Sequence, residues 1–191
     1  PLDRPEAKLR PDWHLWNQAE GTEWEELLSH DGWDWGDVNE PKNRGKKILS
    51  SKFAYKQKPD RKKARLCCRG FLQPVHELTD TYAPVCRAET LRTLFSEATA
   101  QGWSISALDI RNAYVTSPLP EPVYMQPPDG GYTDKNGTFI SYRQAGKCMR
   151  LKKSLYGLKS SGRNFFNFLD DHLRSNGFQS RDDIDPCLYK H

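Results

Sequence analysis

The chain has 191 residues, a formal net charge of +4 at pH 7, and hydrophobic and charged fractions of 36% and 28%. This length and composition fit one globular domain, with or without subdomains, and exclude a disordered tail. No apolar run approaches the roughly 20 residues that cross a bilayer, and no signal-peptide pattern is present, so we expect a soluble intracellular protein. Five cysteines in no CxxC spacing indicate free thiols rather than a disulfide scaffold.

Charge is distributed unevenly along the sequence. Acidic residues crowd the first 40 positions, as in EGTEWEELLSHDGWDWGDVNE, whereas positions 41–70 are rich in Lys and Arg and carry a single acid, Asp60. Positions 41–70 therefore present a local basic face.

The first element is an acidic, tryptophan-rich segment with helical spacing. Asp12 is a candidate N-cap, and the apolar positions that follow are Trp13, Trp16, Trp24, Leu27 and Leu28. This spacing predicts an amphipathic helix that packs its tryptophans on a neighbouring element. The alternative is an interaction module whose tryptophans recruit a partner protein.

The basic segment follows a stretch that is rich in Gly, Asn and Pro, residues typical of turns. KKILSSKFAYKQKPDRKKARLCCRGFLQ alternates apolar and basic positions around Lys58, Pro59 and Asp60, which predicts a basic β-hairpin with its turn there. Alternation would place Lys63, Arg65 and Arg69 on one face. A solvated surface is the simpler interpretation of such a charge run.

A helix and a strand are predicted next. ETLRTLFSEATAQGW has an apolar stripe that should face a sheet, and Gly102 should end the helix; the stripe is Leu91, Leu94, Phe95 and Ala98. SISALDI then predicts a strand that ends at Asp109, and a turn or short helix should begin at Asn112 and Ala113.

The remaining third alternates loop, strand and helix. SPLPEPVYMQPPDGGYTDKNG predicts a surface loop with a short strand at 123–125, and GKCMRLKKSLYG predicts a strand. SSGRNFFNFLDDHLRSNGF predicts a helix capped by Ser160 or Ser161 and ended at 176–177, and its buried face would comprise Phe165, Phe168, Leu169 and Leu173. DPCLYKH should begin another strand.

Asp109 has two candidate roles on position alone. A carboxylate at the end of a strand can reach a metal or a substrate, because the sheet holds its backbone rigid. It can equally cap the helix that follows, since Asp is a favoured N-cap residue.

Five segments in order resemble the reverse transcriptase region of copia-type retrotransposon polyproteins. They are KARLCCRGFLQ, YAPVCRAETLRTL, GWSISALDIRNAYVTSPLPEPVYMQPPDGG, LKKSLYGLKSSGRNFF and DPCLYK. The resemblance implies an α+β fold, a right-hand polymerase with fingers and a partial palm. Its implied divisions are an N-terminal segment leading into the fingers (1–45), a basic fingers hairpin (46–88) and a palm portion (89–191).

The same resemblance implies a site for nucleotidyl transfer. Asp109 matches the first catalytic aspartate, which binds two Mg²⁺ ions, with Mn²⁺ as an alternative, together with the main-chain carbonyl of Ile110. Tyr114 matches an aromatic gate that selects deoxyribonucleotides; without the resemblance it would be a core tyrosine. The implied contacts to the deoxynucleotide are Lys63, Arg65, Asn112, Ala113, Tyr114 and Gly157. The implied contacts to template and primer are Arg69, Lys159 and Arg163.

The sequence departs from the family pattern in two places. A proline is common where Gly162 stands, and the family's adjacent aspartate pair would follow the DPCLY segment beyond His191. The pairs at 170–171 and 182–183 lack the apolar flanks of such a hairpin, so we expect them to be solvated.

We therefore expect a fragment that lacks the aspartate pair and the RNase H domain of the parent polyprotein, is inactive alone and is prone to aggregate. The family implies a location in cytoplasmic virus-like particles, and also in the nucleus. The rival hypothesis is a catalytically inactive nucleic-acid-binding remnant or a domesticated element.

Overall fold

The computed structural model describes residues 3–74 and 80–191, which form a mixed α+β fold. The helices are α1 (Arg4–Lys8), α2 (Trp13–Ser29), α3 (Glu40–Asn43), α4 (Ala88–Gln101), α5 (Ala113–Thr116) and α6 (Ser161–Ser175). The strands are β1 (Trp33–Asp37), β2 (Ile48–Leu49), β3 (Ser51–Gln57), β4 (Lys62–Cys68), β5 (Pro118–Met125), β6 (Gly131–Thr133), β7 (Phe139–Ser141), β8 (Lys147–Lys153), β9 (Gln179–Arg181) and β10 (Asp185–Lys190).

A four-stranded sheet in the order β1-β8-β5-β2 supports the fold. β8 pairs antiparallel with both β1 and β5, and β2 pairs parallel with β5. Three two-stranded ribbons complete the strands: β3-β4, β6-β7 and β9-β10. The segment predicted as a loop with one short strand thus contains all of β5 and β6.

Helix α2 confirms the helical spacing of the N-terminal segment. Trp16, Trp24 and Leu27 are 2–3% exposed and lie in the main core, with Trp24 packed on Trp33 at a centroid distance of 4.9 Å. The interpretation of these tryptophans as an exposed partner-recruiting surface is therefore wrong. Asp12 makes no cap hydrogen bond, because its carboxylate pairs with Lys62 at 2.6 Å.

The predicted basic hairpin is present as β3 and β4. Seven residue pairs from Ser51 opposite Cys68 to Gln57 opposite Lys62 define its register. Lys58 N donates to the Arg61 carbonyl across the turn, at 2.8 Å. Side chains that alternate with the basic residues of β4 are buried against the core: Ala64, Leu66 and Cys68.

Helix α4 ends at Gly102, whose φ of +67° is a conformation that glycine adopts readily. Its apolar stripe does not face a sheet: Leu91, Leu94 and Phe95 are 39–52% exposed. The predicted strand at 104–110 is also wrong, since this stretch forms no strand and its residues are exposed. A strand requires a hydrogen-bonded neighbour, and none of the described strands lies beside it.

Helix α6 has the predicted extent, but its caps and its buried face differ from the prediction. Ser160 makes no side-chain cap, and Ser161 Oγ donates instead to the Leu155 carbonyl at 2.6 Å. The predicted face is half-buried at best, and Phe168 is 40% exposed.

Asp185, at the start of β10, holds the beginning of α4. Its fully buried carboxylate accepts hydrogen bonds from Arg87 N, Thr90 Oγ1 and Cys187 N, each at 2.8 Å. These bonds lower the pKa of Asp185 to about 2. A carboxylate distant in sequence therefore binds the backbone N–H of Arg87, the residue that precedes α4, and the Thr90 hydroxyl in its first turn.

All five cysteines are free thiols, and Cys68 and Cys148 are buried. Within residues 3–74 and 80–191, no helix is both long enough and apolar enough to span a bilayer.

Candidate functional site

The outward face of β4 carries two of the predicted nucleotide contacts. Lys63 and Arg65 alternate with buried Ala64 and Leu66, as the pattern predicted. Arg69 lies one residue beyond the strand and lines a different groove from the one that Lys63 lines. Lys63 and Arg69 therefore line two separate concave surfaces, and Arg65 lines neither of them.

Tyr156 joins three of the predicted elements. The Arg65 guanidinium carbon lies 4.9 Å from the centroid of the Tyr156 ring, a cation–π distance. The Tyr114 ring packs edge-on against Tyr156 at 5.2 Å, and against Phe165 at 6.4 Å. The hairpin, α5 and the loop before α6 thus meet at one aromatic cluster. The sequence analysis did not identify Tyr156 as a site residue, although it lies in the LKKSLYGLKSSGRNFF segment.

Gly157 docks this loop on the end of β4. Cys68 N donates to the Tyr156 carbonyl at 2.8 Å, and Gly70 N donates to the Gly157 carbonyl at 3.2 Å. Gly157 has φ of +88°, and a Cβ there would lie 2.1 Å from the Cys68 carbonyl oxygen. Gly157 therefore allows a close backbone approach between this loop and the end of β4.

We expect Gly157→Ala to destabilise the fold by more than about 2 kcal/mol, because left-handed strain adds to a backbone clash. Gly137→Ala is the matched control, since its φ is +81° and no atom lies within 4 Å of the added Cβ. Thermal unfolding of both variants measures the difference. Equal melting temperatures would contradict a clash at Gly157.

A groove of about 710 Å³ separates α2 from the tip of the hairpin and from Asn112. Lys63 and Asn112 both line it, so the structure brings these two predicted residues together. Asn112 has φ of 52°, and its buried Nδ2 has no hydrogen-bond partner among the described residues. Ala113 follows as the first residue of α5.

Acidic side chains of α2 also line this groove. Glu23 is 6% exposed and accepts a hydrogen bond from Leu66 N at 3.1 Å. Burial raises the pKa of Glu23 to about 7, and the bond from Leu66 N offsets only part of that effect. Glu26 lies 3.9 Å from Arg111 across the groove. The sequence prediction named only the basic side of this surface.

Asp109 and Ile110 are not among the residues that line this groove. Both are exposed, and no hydrogen bond or ion pair within the described ranges involves the Asp109 carboxylate. Asn112 rather than Asp109 precedes α5, so the alternative role of Asp109 as a helix cap is wrong. The described residues contain no cluster of three or more His, Cys, Asp or Glu side chains that could hold a metal ion.

The predicted template contacts differ in their surroundings. Lys159 is exposed, and its backbone N donates to Gln73 Oε1 at 3.2 Å. Arg163 Nε pairs with Asp80 at 3.3 Å, and the Arg163 guanidinium lies 5.6 Å from the Phe166 ring centroid.

The adjacent aspartate pairs are engaged in surface contacts. Asp170 pairs with Arg174 at 2.8 Å and accepts a hydrogen bond from Tyr189. Asp182 lies 3.4 Å from the same arginine, and Asp183 pairs with Arg181 at 2.6 Å. Asp171, Asp182 and Asp183 are exposed as predicted, whereas Asp170 is partly buried, with 21% of its side chain exposed.

Comparison with known proteins identifies the family. The family described as reverse transcriptase (RNA-dependent DNA polymerase) matches residues 33–191. The chain is 31% identical over 156 residues to the retrovirus-related Pol polyprotein from transposon TNT 1-94 of Nicotiana tabacum, and 32% identical over 167 residues to that from transposon RE2 of Arabidopsis thaliana. It is 34% identical over 164 residues to the transposon Ty1-ER2 Gag-Pol polyprotein of Saccharomyces cerevisiae.

These alignments cover 76%, 85% and 82% of this chain, but only 11%, 11% and 8% of the respective polyproteins. No solved structure matches the chain. The aligned portion is therefore about a tenth of each curated relative, and the chain belongs to the reverse transcriptase family as a segment of the kind found in copia-type retrotransposon Pol polyproteins.

Proposed function

We propose that this segment contributes nucleotide and template contacts to RNA-directed DNA synthesis by a Pol polyprotein. The observation that carries the proposal is the meeting of Arg65, Tyr114 and Tyr156 beside Gly157. Three chain segments that the family resemblance assigned to one nucleotide site converge there. In this proposal the hairpin belongs to the fingers, and residues 89–191 belong to the palm.

Lys63 and Arg65 would bind the triphosphate. An arginine offers paired donors to phosphate oxygens, and a lysine acts as a point charge. Neither side chain forms an ion pair with a carboxylate among the described residues, so both charges are available. Gly157 and the backbone of Asn112 and Ala113 would border the nucleotide, and the Tyr114 ring would exclude a 2′-hydroxyl.

Asp109 and the Ile110 carbonyl would be part of a metal site. Mg²⁺ prefers hard oxygen ligands and often shares its coordination sphere with substrate phosphates. The exposed carboxylate of Asp109 fits one side of such a site, and two ions require further carboxylates in addition. When bound, Mg²⁺ would acidify the primer 3′-hydroxyl and neutralise the leaving pyrophosphate, and Mn²⁺ could replace it.

Template and primer would lie along the basic surface. Arg69 and Lys159 are exposed, and Arg163 would exchange its pair with Asp80 for a phosphate contact. The apolar side chains exposed on α4 and at 103–110 support further contact with other parts of the polyprotein. We propose that those parts supply the remaining carboxylates and an RNase H domain, within cytoplasmic virus-like particles.

Primer extension tests this function. We expect Asp109→Asn, placed in the Pol polyprotein, to lower Mg²⁺-dependent DNA synthesis on an RNA template at least about a hundredfold, because a metal ligand contributes several kcal/mol to transition-state stabilisation. Asp171→Asn is the control, since Asp171 is exposed on α6. Binding of primer–template without extension by the unsubstituted polyprotein would instead indicate a catalytically inactive remnant.

A further inference from the structure

A second groove, of about 570 Å³, lies between α1, β3 and the turn before β6. We call it the α1 groove. Four basic side chains line it, namely Arg4, Lys8, Lys52 and Arg69, together with two acids, Asp3 and Asp129. Arg4 and Lys8 lie outside the part of the chain that matches the reverse transcriptase family.

The charges of this groove are compensated unequally. Arg4 is held by the buried Glu20 carboxylate at 2.8 Å, and Asp129 pairs with Arg143 at 2.6 Å. Asp3 caps α1 by accepting a hydrogen bond from Glu6 N at 2.9 Å.

Three cations of the α1 groove keep their charge available. Lys8, Lys52 and Arg69 are exposed, and none of them forms an ion pair with any residue in the described ranges. Two other basic residues of the hairpin are paired, Arg61 with Asp60 at 2.9 Å and Lys62 with Asp12 at 2.6 Å. Lys63 and Arg65 form no ion pair among the described residues either, but they do not line this groove. Within the α1 groove, three uncompensated positive charges border one concave surface.

An extended polyanion fits this arrangement. The three free cations come from α1, from β3 and from the residue after β4, so they border the groove from separate elements. Phe71 lies two residues beyond Arg69 and is 71% exposed, which is unusual for a large aromatic side chain. Phe71 does not line the groove itself but is close to Arg69 along the chain. Positively charged grooves bind single-stranded nucleic acid because phosphates meet the cations, and exposed aromatic rings along the path of the strand stack on its bases.

We propose that the α1 groove binds the sugar-phosphate backbone of single-stranded nucleic acid. The proposal rests on the proposed function in that nucleic acid is the expected substrate. It adds that a helix outside the region of family similarity completes the binding surface. The Arg4 to Glu20 pair would keep Lys8 in place, because it fixes α1 against α2.

Fluorescence anisotropy with a labelled single-stranded 20-mer tests the α1 groove in the 191-residue chain. We expect the double substitution Lys8→Gln and Lys52→Gln to weaken binding by about an order of magnitude at low salt, and to flatten the dependence of log K on log salt by about 1.4, since each lost phosphate contact contributes about 0.7. The matched control is Lys42→Gln with Lys135→Gln, two exposed lysines outside the groove.

Several results would overturn the proposal. Equal loss in both double variants would mean that only net charge matters, and unchanged binding in the groove variant would place the nucleic acid elsewhere. Equally tight binding of poly-glutamate would indicate an acidic protein partner. Absence of binding by the unsubstituted chain would also refute the groove, whereas primer extension sensitive to Asp109→Asn would still support the proposed function.

Discussion

Replacing Glu20 with alanine is expected to lower the free energy of unfolding by about 3–5 kcal/mol, because it leaves a buried cation without its partner. Glu20 is fully buried and accepts hydrogen bonds from Arg4 Nε at 2.8 Å and Nη2 at 3.0 Å. The hydroxyl groups of Tyr55 and Tyr142 donate to the same carboxylate. The substitution would deprive Arg4, Tyr55 and Tyr142, from three parts of the chain, of this acceptor. Asn17 Nδ2 also donates to Glu20, at 3.4 Å, but it keeps its hydrogen bond to the Gly131 carbonyl.

Urea denaturation followed by tryptophan fluorescence measures this effect, since Trp16 and Trp24 lie in the same core. Glu97→Ala is the control: it makes the same chemical change on an exposed position of α4 and should cost less than about 0.5 kcal/mol. A double-mutant cycle with Arg4→Ala should show that the two losses are not additive. Similar stability of Glu20→Ala and Glu97→Ala would show that the buried network contributes little.

The helical spacing of α2 already contained the signal for Glu20. This residue lies four positions after Trp16 and four before Trp24, so the 3.6-residue period places a carboxylate within the buried stripe. A charged residue there requires partners. Those partners come from α1, β3 and the segment around Tyr142, and no local pattern connects them.

The strand predicted at 104–110 is not formed, because a local pattern does not supply a pairing partner. Its alternation is typical of a strand, but alternation describes only which side chains share a face. Pairing depends on a neighbour far along the chain, and the described strands provide none. The β3-β4 hairpin was predictable because both partners and their turn lie within one short segment.

The candidate site shows the same division between local and distant information. Alternation along β4 located Lys63 and Arg65 correctly on the outward face. The aromatic contact of Tyr156 with Arg65 and Tyr114, and the position of Glu23 beside Lys63, depend on tertiary packing. The sequence therefore identified candidate residues more readily than their neighbours.

Glu23→Gln is expected to stabilise the protein above pH 7 and to have little effect near pH 4.5. The pKa of the Glu23 carboxyl is raised from 4.5 to about 7 because the group is buried. Between these values the unfolded chain loses this proton more readily than the folded protein does. The free energy of unfolding therefore falls as the pH rises through that window, and the loss is complete above pH 7.

Glutamine keeps the shape of the side chain and an oxygen that can accept the hydrogen bond from Leu66 N, but it carries no charge to bury. Since a tenfold change in proton affinity is worth about 1.4 kcal/mol, the variant should exceed the wild type by up to about 3 kcal/mol at pH 8. Urea denaturation at pH 5 and pH 8 measures the difference, and contributions from histidines cancel because both proteins contain them.

Glu97→Gln is the control for this pH dependence, because the Glu97 side chain is exposed, and it should follow the wild type at both pH values. A difference between Glu23→Gln and the wild type that stays constant from pH 5 to pH 8 would contradict a raised pKa. If the difference grows with pH, burial keeps the Glu23 carboxyl partly protonated near neutral pH. The acidic side of the groove then repels a triphosphate beside Lys63 less than the number of its carboxyl groups suggests.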